Sequence, residues 1–252
     1  MTEHTKLSDR VAIVSGGAKG IGAAISRHLA EAGAHVVIID LDETAATAYG
    51  AALPNAGGVG GDVADYAAMD QIVTRTVTEH GHVDILINNA GWDHVQPFTD
   101  NDPALWDALV DVNLKGVFNL THAALPRMRE RNFGRIVNIA SDAGRVGSMG
   151  EAAYSACKGG TISFTKSIAR EAARNGIAVN CVCPGPTETP LLAQITQDER
   201  AASIMSAIVK ATPTRRATHP DEVAQAAAFF ASCPNQITGQ VLSVSGGLTM
   251  AG

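Results

Sequence analysis

The chain has 252 residues, of which 46% are hydrophobic and 17% are charged, and its formal net charge is -6. This length and composition suit a compact protein with a large buried core, and α/β folds of this size commonly form one domain. The net negative charge and the lack of a cluster of Lys and Arg residues argue against nucleic acid and anionic membrane surfaces as partners. No segment reaches the ~18 apolar residues of a membrane span, and the first ten residues lack a signal-peptide pattern, so we expect a cytoplasmic protein.

Short runs rich in Val and Ile alternate with Ala-rich helical stretches along the whole chain. The predicted strands are Val11–Ser15, Ala34–Ile39, Val59–Gly61, Val83–Ile87, Arg135–Ala140, Ala178–Val182 and Val241–Val244. The clearest helical stretches are Gly22–Ala32, Ala67–His80, Leu105–Glu130 and Ala152–Asn175. Several strand runs are continuously apolar, which is typical of strands covered on both faces. The repeated β-α-β order predicts a single-domain, Rossmann-type, doubly wound parallel sheet of about seven strands with helices on both faces.

The segment 186–220 departs from this alternation. It is rich in proline at its start and then helical but loosely patterned. In a parallel sheet it would emerge at the carboxyl end of a strand, where ligands bind. We predict a substrate lid here, with an inert insertion as the alternative.

A glycine-rich turn follows the first predicted strand. Gly16, Gly20 and Gly22 lie between that strand and an amphipathic helix. Gly16 permits a tight turn, and the missing side chains at Gly20 and Gly22 let the backbone approach a pyrophosphate at the helix N-terminus. The spacing G-x-x-x-G-x-G differs from the G-x-G-x-x-G of longer-chain dehydrogenases, but strand, turn, helix and a following acidic residue together predict a dinucleotide site.

The acidic residue is Asp40, at the end of the second predicted strand. A carboxylate there can accept hydrogen bonds from both ribose hydroxyls of NAD and would repel the 2′-phosphate of NADP. Lys19, inside the glycine turn, favours NADP instead, because its ammonium group could bind that 2′-phosphate. We predict NAD, with NADP as the alternative.

Tyr154 and Lys158 lie four residues apart, so they share one face of a helix. Alone, this spacing is also typical of an ordinary surface pair. A phenol with a pKa of ~10 is a poor base at neutral pH, and a neighbouring ammonium group would lower that pKa.

The motifs SGGAKGIG, NNAG, Asn113, Ser141 and Tyr154-x-x-x-Lys158 occur in the order and spacing of the short-chain dehydrogenase/reductase family, which the whole chain resembles. The resemblance implies NAD(P)-dependent oxidation of alcohols or reduction of ketones. Tyr154 would be the acid or base, Lys158 would bind the nicotinamide ribose, Ser141 the substrate oxygen, and Asn113 a water in a proton relay. The family usually begins the glycine turn with Thr where this chain has Ser15.

The resemblance also assigns residues to the cofactor. Besides Tyr154 and Lys158, these are Ser15, Gly16, Lys19, Gly20, Ile21, Gly22, Asp40, Leu41, Asp62, Val63, Asn89, Ala90, Gly91, Pro184, Gly185, Thr187 and Thr189, with Asn88 beneath them.

The predicted substrate wall contains Trp92, Asp142, Met149 and Leu191, which suits a ring or alkyl chain. The sequence resembles family members that act on alicyclic secondary alcohols and on β-hydroxy thioesters such as 2-hydroxycyclohexanecarboxyl-CoA. Basic residues that either contact CoA phosphates or remain solvated are Arg145, Lys210, Arg215 and Arg216. His94 is predicted to be a solvated loop residue rather than a second catalytic base.

Two other functions remain open: a 3-oxoacyl-thioester reductase that uses NADPH, and a nucleotide-binding redox sensor without turnover. The resemblance implies a homotetramer. No metal site is expected, because the histidines are scattered and the cysteines form no Cys-x-x-Cys pair. Small buried thiols are predicted at Cys157, Cys181, Cys183 and Cys233.

Overall fold

The computed structural model describes residues 7–251. Seven parallel strands form one sheet with the order β3-β2-β1-β4-β5-β6-β7, which confirms the predicted fold class. The strands are β1 (Val11–Ser15), β2 (His35–Asp40), β3 (Ala56–Gly60), β4 (Ile85–Asn88), β5 (Gly134–Ile139), β6 (Ile177–Pro184) and β7 (Val241–Val244). All seven coincide with predicted runs, and their ends differ from the prediction by a few residues.

The helices that connect these strands cover both faces of the sheet. They are α1 (Gly20–Glu31), α2 (Glu43–Ala52), α3 (Tyr66–His80), α4 (Pro103–Val110), α5 (Gly116–Arg131), α6 (Ala143–Val146), α7 (Ala152–Ala172), α8 (Pro190–Ile195), α9 (Glu199–Ala211) and α10 (Pro220–Ser232). Short 3₁₀ turns occupy Phe98–Asp100 and Ala173–Asn175.

The helical stretch predicted over Leu105–Glu130 is interrupted in the structure. A π-helical segment, Asp111–Lys115, separates α4 from α5. Such π segments often occur at functional sites, because they turn a side chain out of the regular helical register. Asn113, one of the predicted catalytic residues, lies in this π segment.

Two apolar layers enclose the sheet. Ala12 and Val14 of β1 belong to the core beneath α1 and α10, whereas Ile13 between them belongs to the core beneath α3 and α5. Alternate residues of a strand face opposite sides, so a strand covered on both faces is apolar throughout. This explains why β1 has no polar alternation in its sequence.

The strand order places the predicted site at the switch point of the sheet. From β1 the chain proceeds outwards through β2 to β3, then returns to β4 on the other side of β1. Ligands of open α/β sheets bind in the crevice beyond the carboxyl ends of strands at this reversal. In the part of the chain that the structure describes, no helix has both the length and the apolar character needed to cross a bilayer.

Candidate active site

A cleft of about 970 Å³ opens at the carboxyl edge of the sheet. The predicted residues that line it are Gly16, Lys19, Gly20, Ile21, Asp40, Leu41, Asp62, Val63, Asn89, Ala90, Gly91, Trp92, Ser141, Asp142, Met149, Tyr154, Lys158, Pro184, Gly185, Thr187, Thr189 and Leu191. Three predicted residues, Ser15, Gly22 and Asn113, do not line the cleft and act from behind its wall. The fold therefore brings most of the predicted set onto one surface.

The glycine turn at one end of the cleft leaves helix amides free for an anion. Gly16 and Gly20 have positive φ angles of 58° and 55°, which favour glycine. A Cβ at Gly22 would lie 2.0 Å from the carbonyl oxygen of Gly16, so no side chain fits there. Helix α1 begins at Gly20 without a side-chain cap at Lys19. This cradle fits the pyrophosphate of a dinucleotide.

Ser15 supports the floor of the cleft instead of lining it. It is 1% exposed, and its hydroxyl accepts hydrogen bonds from the backbone amides of Asn89 (3.0 Å) and Ala90 (3.1 Å). The side-chain amide of Asn89 in turn donates to the carbonyls of Ser15 and Gly16, at 3.0 Å each. The glycine turn and the turn after β4 are thus joined into one unit.

Two carboxylates and one ammonium group lie at the end of β2. Asp40 accepts hydrogen bonds from the backbone amides of Ala18 and Asp42, both at 3.2 Å. Lys19 Nζ lies 2.8 Å from Asp42 Oδ2. The hydrogen bond and charge of Asp42 raise the pKa of Lys19, which therefore stays protonated and paired.

The loop after β3 forms the predicted adenine side. Asp62 Oδ1 accepts a hydrogen bond from the amide of Ala64 (2.9 Å). Asn119 Nδ2, from α5, donates to the carbonyl oxygens of Val63 (2.8 Å) and Ala64 (3.1 Å). A buried amide therefore fixes the loop from below, while Asp62 and Val63 line the cleft.

Ser141, Tyr154 and Lys158 meet where the cleft reaches the ends of β5 and β6. Ser141 and Tyr154 both line the cleft at this point. Lys158 Nζ lies 5.5 Å from the centroid of the Tyr154 ring and donates to the carbonyl oxygen of Ile139 (3.1 Å). A phenol, a hydroxyl and a buried ammonium group thus surround one part of the cleft.

The electrostatics of this cluster differ from the sequence-based expectation. Burial raises the pKa of Tyr154, the neighbouring carboxyl groups of Asp93 and Glu151 raise it further, and the hydrogen bond with Ser141 opposes them. Burial also lowers the pKa of Lys158 to about 8. We predicted that the neighbouring lysine lowers the tyrosine pKa, but in the protein alone that pKa is raised, because removal from water acts more strongly than the hydrogen bond with Ser141.

Asn113 lies directly behind this cluster. Its side-chain amide donates to the carbonyl oxygens of Trp92 (2.9 Å) and Leu109 (3.1 Å), while its buried Oδ1 has no partner. A Cβ at Gly91 would lie 2.7 Å from that Oδ1 and 3.2 Å from Lys158 Nζ. An unpaired acceptor close to Lys158 is what a bridging water requires, and the proton relay stays a prediction.

Apolar side chains form the outer part of the cleft. Trp92 and Met149 line it from the loops after β4 and β5, and Met149 is 76% exposed. Segment 186–220 folds as α8 and α9 and contributes Leu191, Leu192, Ile204, Met205 and Ile208. The α9 residues Ile204, Met205 and Ile208 were not among the predicted substrate residues. Ile204 and Ile208 are four residues apart, so they share one face of the helix.

The basic residues considered for CoA phosphates do not line the cleft. Arg145 donates to Ser243 Oγ (2.8 Å) and to the carbonyl oxygen of Ala251, and the hydroxyl of Ser243 donates to Asp142. Arg216 binds Glu222, with Nη1 at 2.7 Å from Oε2. Lys210 and Arg215 are also outside the lining. Their positions favour the alternative that these four basic side chains are solvated or structural and do not contact CoA phosphates.

The other side chains weighed from sequence have ordinary surroundings. His94 Nε2 lies 3.1 Å from Gln96 Oε1 in an exposed loop contact, as expected of a loop residue. The four cysteines are free and buried, as predicted. Among residues 7–251, no group of three or more His, Cys, Asp or Glu side chains could hold a metal ion.

One feature was missed from the sequence. Asp93 and Glu151 form a carboxyl pair in the substrate wall, near Tyr154. Asp93 directly follows the predicted wall residue Trp92, and Glu151 lies three residues before Tyr154, but no local motif joins them. Only the packing of two loops brings them together.

Comparisons with known proteins agree with this architecture. Residues 10–200 match the sequence model of the family described as short chain dehydrogenase. The chain is 39% identical over 239 residues to acetoacetyl-CoA reductase of Shinella zoogloeoides, covering 94% of this chain and 98% of that protein. It is 37% identical over 243 residues to the 3-oxoacyl-[acyl-carrier-protein] reductase FabG of Escherichia coli (strain K12), covering 96% and 98%. The crystal structure of levodione reductase superposes with a TM-score of 0.89 at 30% identity, covering 96% and 98%.

Proposed function

This chain belongs to the short-chain dehydrogenase family, and from that membership we propose an NAD-dependent enzyme that interconverts a secondary alcohol and a ketone. The family binds a nicotinamide cofactor and acts on small molecules, so the protein is an oxidoreductase. The alternative of a sensor without turnover finds no support among relatives that are named as reductases. The finer assignments below are proposals.

One observation carries the proposal: Ser141, Tyr154 and Lys158 line the same cleft as the uncapped N-terminus of α1. The glycine cradle and its open amides fit a dinucleotide pyrophosphate. From there the cleft continues to the polar cluster. A cofactor and an alcohol can therefore occupy one continuous space.

The mechanism follows from the polar groups of the cluster. When bound, the oxidised nicotinamide supplies a hydride acceptor. As the phenolate, Tyr154 would remove the proton of the alcohol, and the Ser141 hydroxyl would donate a hydrogen bond to the substrate oxygen. The ammonium group of Lys158 next to the phenol would stabilise that phenolate. In the reverse direction the raised pKa keeps Tyr154 protonated, so its hydroxyl holds the proton that passes to the ketone oxygen.

Support for NAD comes from the charges at the end of β2. Asp40 lines the cleft, where it could accept hydrogen bonds from the adenosine ribose, and Asp42 adds a second carboxylate nearby. Lys19, the one cation that argued for NADP, is already paired with Asp42. A 2′-phosphate would therefore meet the negative charge of these two carboxylates.

We propose a cyclic secondary alcohol or a β-hydroxy thioester such as 2-hydroxycyclohexanecarboxyl-CoA as substrate. The apolar wall of Trp92, Met149 and Leu191 supports a ring or alkyl chain. The second candidate is a 3-oxoacyl-thioester reductase that uses NADPH, which the similarity to acetoacetyl-CoA reductase and to FabG favours. Segment 186–220 as a substrate lid, a homotetramer and a cytoplasmic location remain predictions.

The test compares Tyr154→Phe with Tyr66→Phe. Tyr66 lies on α3, where its hydroxyl contacts His122 Nδ1 (3.0 Å), and it does not line the cleft. NADH binding, followed by cofactor fluorescence, should persist in both variants. Turnover of cyclic alcohols with NAD⁺ should fall at least ~100-fold only in Tyr154→Phe, as for loss of a general acid or base. Comparable turnover in the two variants would refute the catalytic role.

A screen of NAD⁺ and NADP⁺ against cyclic alcohols, hydroxyacyl thioesters and simple secondary alcohols separates the two candidates. The first candidate predicts that NAD⁺ supports faster turnover and that cyclic substrates or β-hydroxy thioesters are oxidised. Faster turnover with NADP⁺ and 3-hydroxyacyl thioesters would favour the second.

A further inference from the structure

The substrate half of the cleft contains more acidic than basic groups. Lys19 and Lys158 are the only lysine or arginine residues among the described residues that line the cleft. Lys19 lies at the opposite end, paired with Asp42. Around Tyr154 the lining contains the acidic side chains Asp93, Asp142 and Glu151.

Asp93 and Glu151 are held together by the packing of two loops. Asp93 follows β4 and Glu151 directly precedes α7. The amide of Gln96 donates to the carbonyl oxygen of Gly150 (2.9 Å), which ties the loops beside the pair. Asp93 is 8% exposed, and its Oδ1 accepts a hydrogen bond from the amide of His94 (2.8 Å).

Asp93 is nearly buried, and both Asp93 and Glu151 line the cleft. Burial, together with the hydrogen bond to Glu151 and its charge, raises the pKa of Asp93 to about 9. At neutral pH the pair therefore has a single negative charge next to the reacting groups.

The surroundings leave this charge only partly balanced. Asp142 has its own cationic neighbour, because Arg145 donates to the same Ser243 hydroxyl that donates to Asp142. The cation near Asp93 is Lys158, which is buried and donates to the carbonyl oxygen of Ile139. The phenol of Tyr154 is neutral.

We propose that the Asp93–Glu151 pair selects substrates that are uncharged beside the reacting carbon. The enzyme would accept an ester or thioester and reject the free carboxylate of the same hydroxy acid. Two negative charges about 6 Å apart, at an effective dielectric constant of about 20, repel each other enough to weaken binding by roughly 100-fold. This inference rests on the proposed function, because it names the substrate class of the same site.

The test uses one carbon skeleton in two charge states, 2-hydroxycyclohexanecarboxylate and its methyl ester. The quantity measured is the ratio of kcat/KM for ester over acid, with NAD⁺ at pH 7. Each ratio is taken within one variant, so differences in folded fraction cancel. We expect the wild-type ratio to exceed about 10, which is a cautious threshold compared with the roughly 100-fold weakening of binding estimated above.

Two variants separate charge from structure. Asp93→Asn keeps a hydrogen-bond donor for Glu151 and leaves that carboxylate charged, so the ratio should be retained. Asp93→Asn combined with Glu151→Gln removes the charge, so the ratio should fall towards one. Glu171→Gln, an exposed site on α7 outside the cleft, controls for total charge and should leave the ratio unchanged.

A wild-type ratio near one, or an equal ratio in the wild type and the double variant, would overturn the inference. Absence of turnover with the ester would instead count against the proposed function. In that event, binding of the acid and of the ester to the NADH complex is measured by cofactor fluorescence, and the ratio of the two dissociation constants replaces the kinetic ratio. The inference is supported if the double variant brings this ratio towards one, and it is overturned if the ratio is unchanged.

Discussion

Ser15→Ala tests whether the floor of the cofactor site depends on one hydroxyl. The wild-type hydroxyl accepts from the amides of Asn89 and Ala90 and donates to the carbonyl oxygen of Ile87 (3.3 Å). Alanine leaves two amides without an acceptor in a site that is 1% exposed. Each such amide costs about 1–3 kcal/mol when buried.

Because Asn89 and Ala90 are only partly buried, the low end of that range applies, and we expect a loss of about 2–3 kcal/mol in the free energy of unfolding. For a chain of this size the loss lowers Tm by roughly 4–10 °C. NADH should also bind more weakly, since residues 89–91 line the cleft.

Urea denaturation followed by tryptophan fluorescence, at a fixed protein concentration, measures the stability change. Ser15→Thr is the matched control, because it retains the hydroxyl and should stay within about 1 kcal/mol of the wild type. If Ser15→Ala unfolds within about 0.5 kcal/mol of the wild type and binds NADH equally well, the hydroxyl does not hold the turn and the reasoning fails.

Three further changes test other parts of the cleft. Gly22→Ala puts a Cβ 2.0 Å from the carbonyl oxygen of Gly16, so NADH binding should weaken at least ~10-fold by titration, as expected when backbone approach to a pyrophosphate is blocked. Gly57→Ala, where a Cβ meets nothing within 4 Å, is its control, and equal affinities would contradict the clash. Asp40→Asn removes a carboxylate from the cleft and should raise kcat/KM for NADP⁺ relative to NAD⁺; an unchanged ratio would mean that Asp40 does not select the cofactor. Asp93 has a folded pKa of about 9, above its unfolded value, so its protonation stabilises the fold fully below pH ~4 and this contribution is lost as pH rises to ~9. The Tm of Asp93→Asn should therefore rise relative to the wild type between pH 5 and 9, and a constant difference would argue against the raised pKa of Asp93.

The order of elements and most of the cleft lining could be predicted from local sequence. Continuous apolar runs such as Val11–Ser15 indicate strands because a sheet covered on both faces needs apolar residues at every position. Gly16 and Gly20 indicate a turn because their positive φ angles disfavour other residues. These signals depend on the backbone within a few residues, so the chain carries them without reference to the fold.

The boundaries of α4 and α5 could not be predicted in this way. Asn113 lies in a helical sequence pattern, and nothing local indicates the π segment that displaces it. The register is set by tertiary contacts, in which the amide of Asn113 reaches the carbonyl oxygen of Trp92 in another loop. Likewise, the pairing of Lys19 with Asp42 depends on where β2 ends relative to the glycine turn.

The sequence by itself determined the fold class, and it predicted the position of the dinucleotide turn and the chemical set of Ser141, Tyr154 and Lys158. Only the tertiary structure decided the electrostatics of that set. Burial raises the pKa of Tyr154, for which the spacing had predicted a lower value, and it lowers the pKa of Lys158. The pKa of Asp93 is raised because two loops distant in the sequence bury it beside Glu151. A side chain's charge depends on the water and the neighbours that the fold leaves around it, and these are fixed only when the loops have packed.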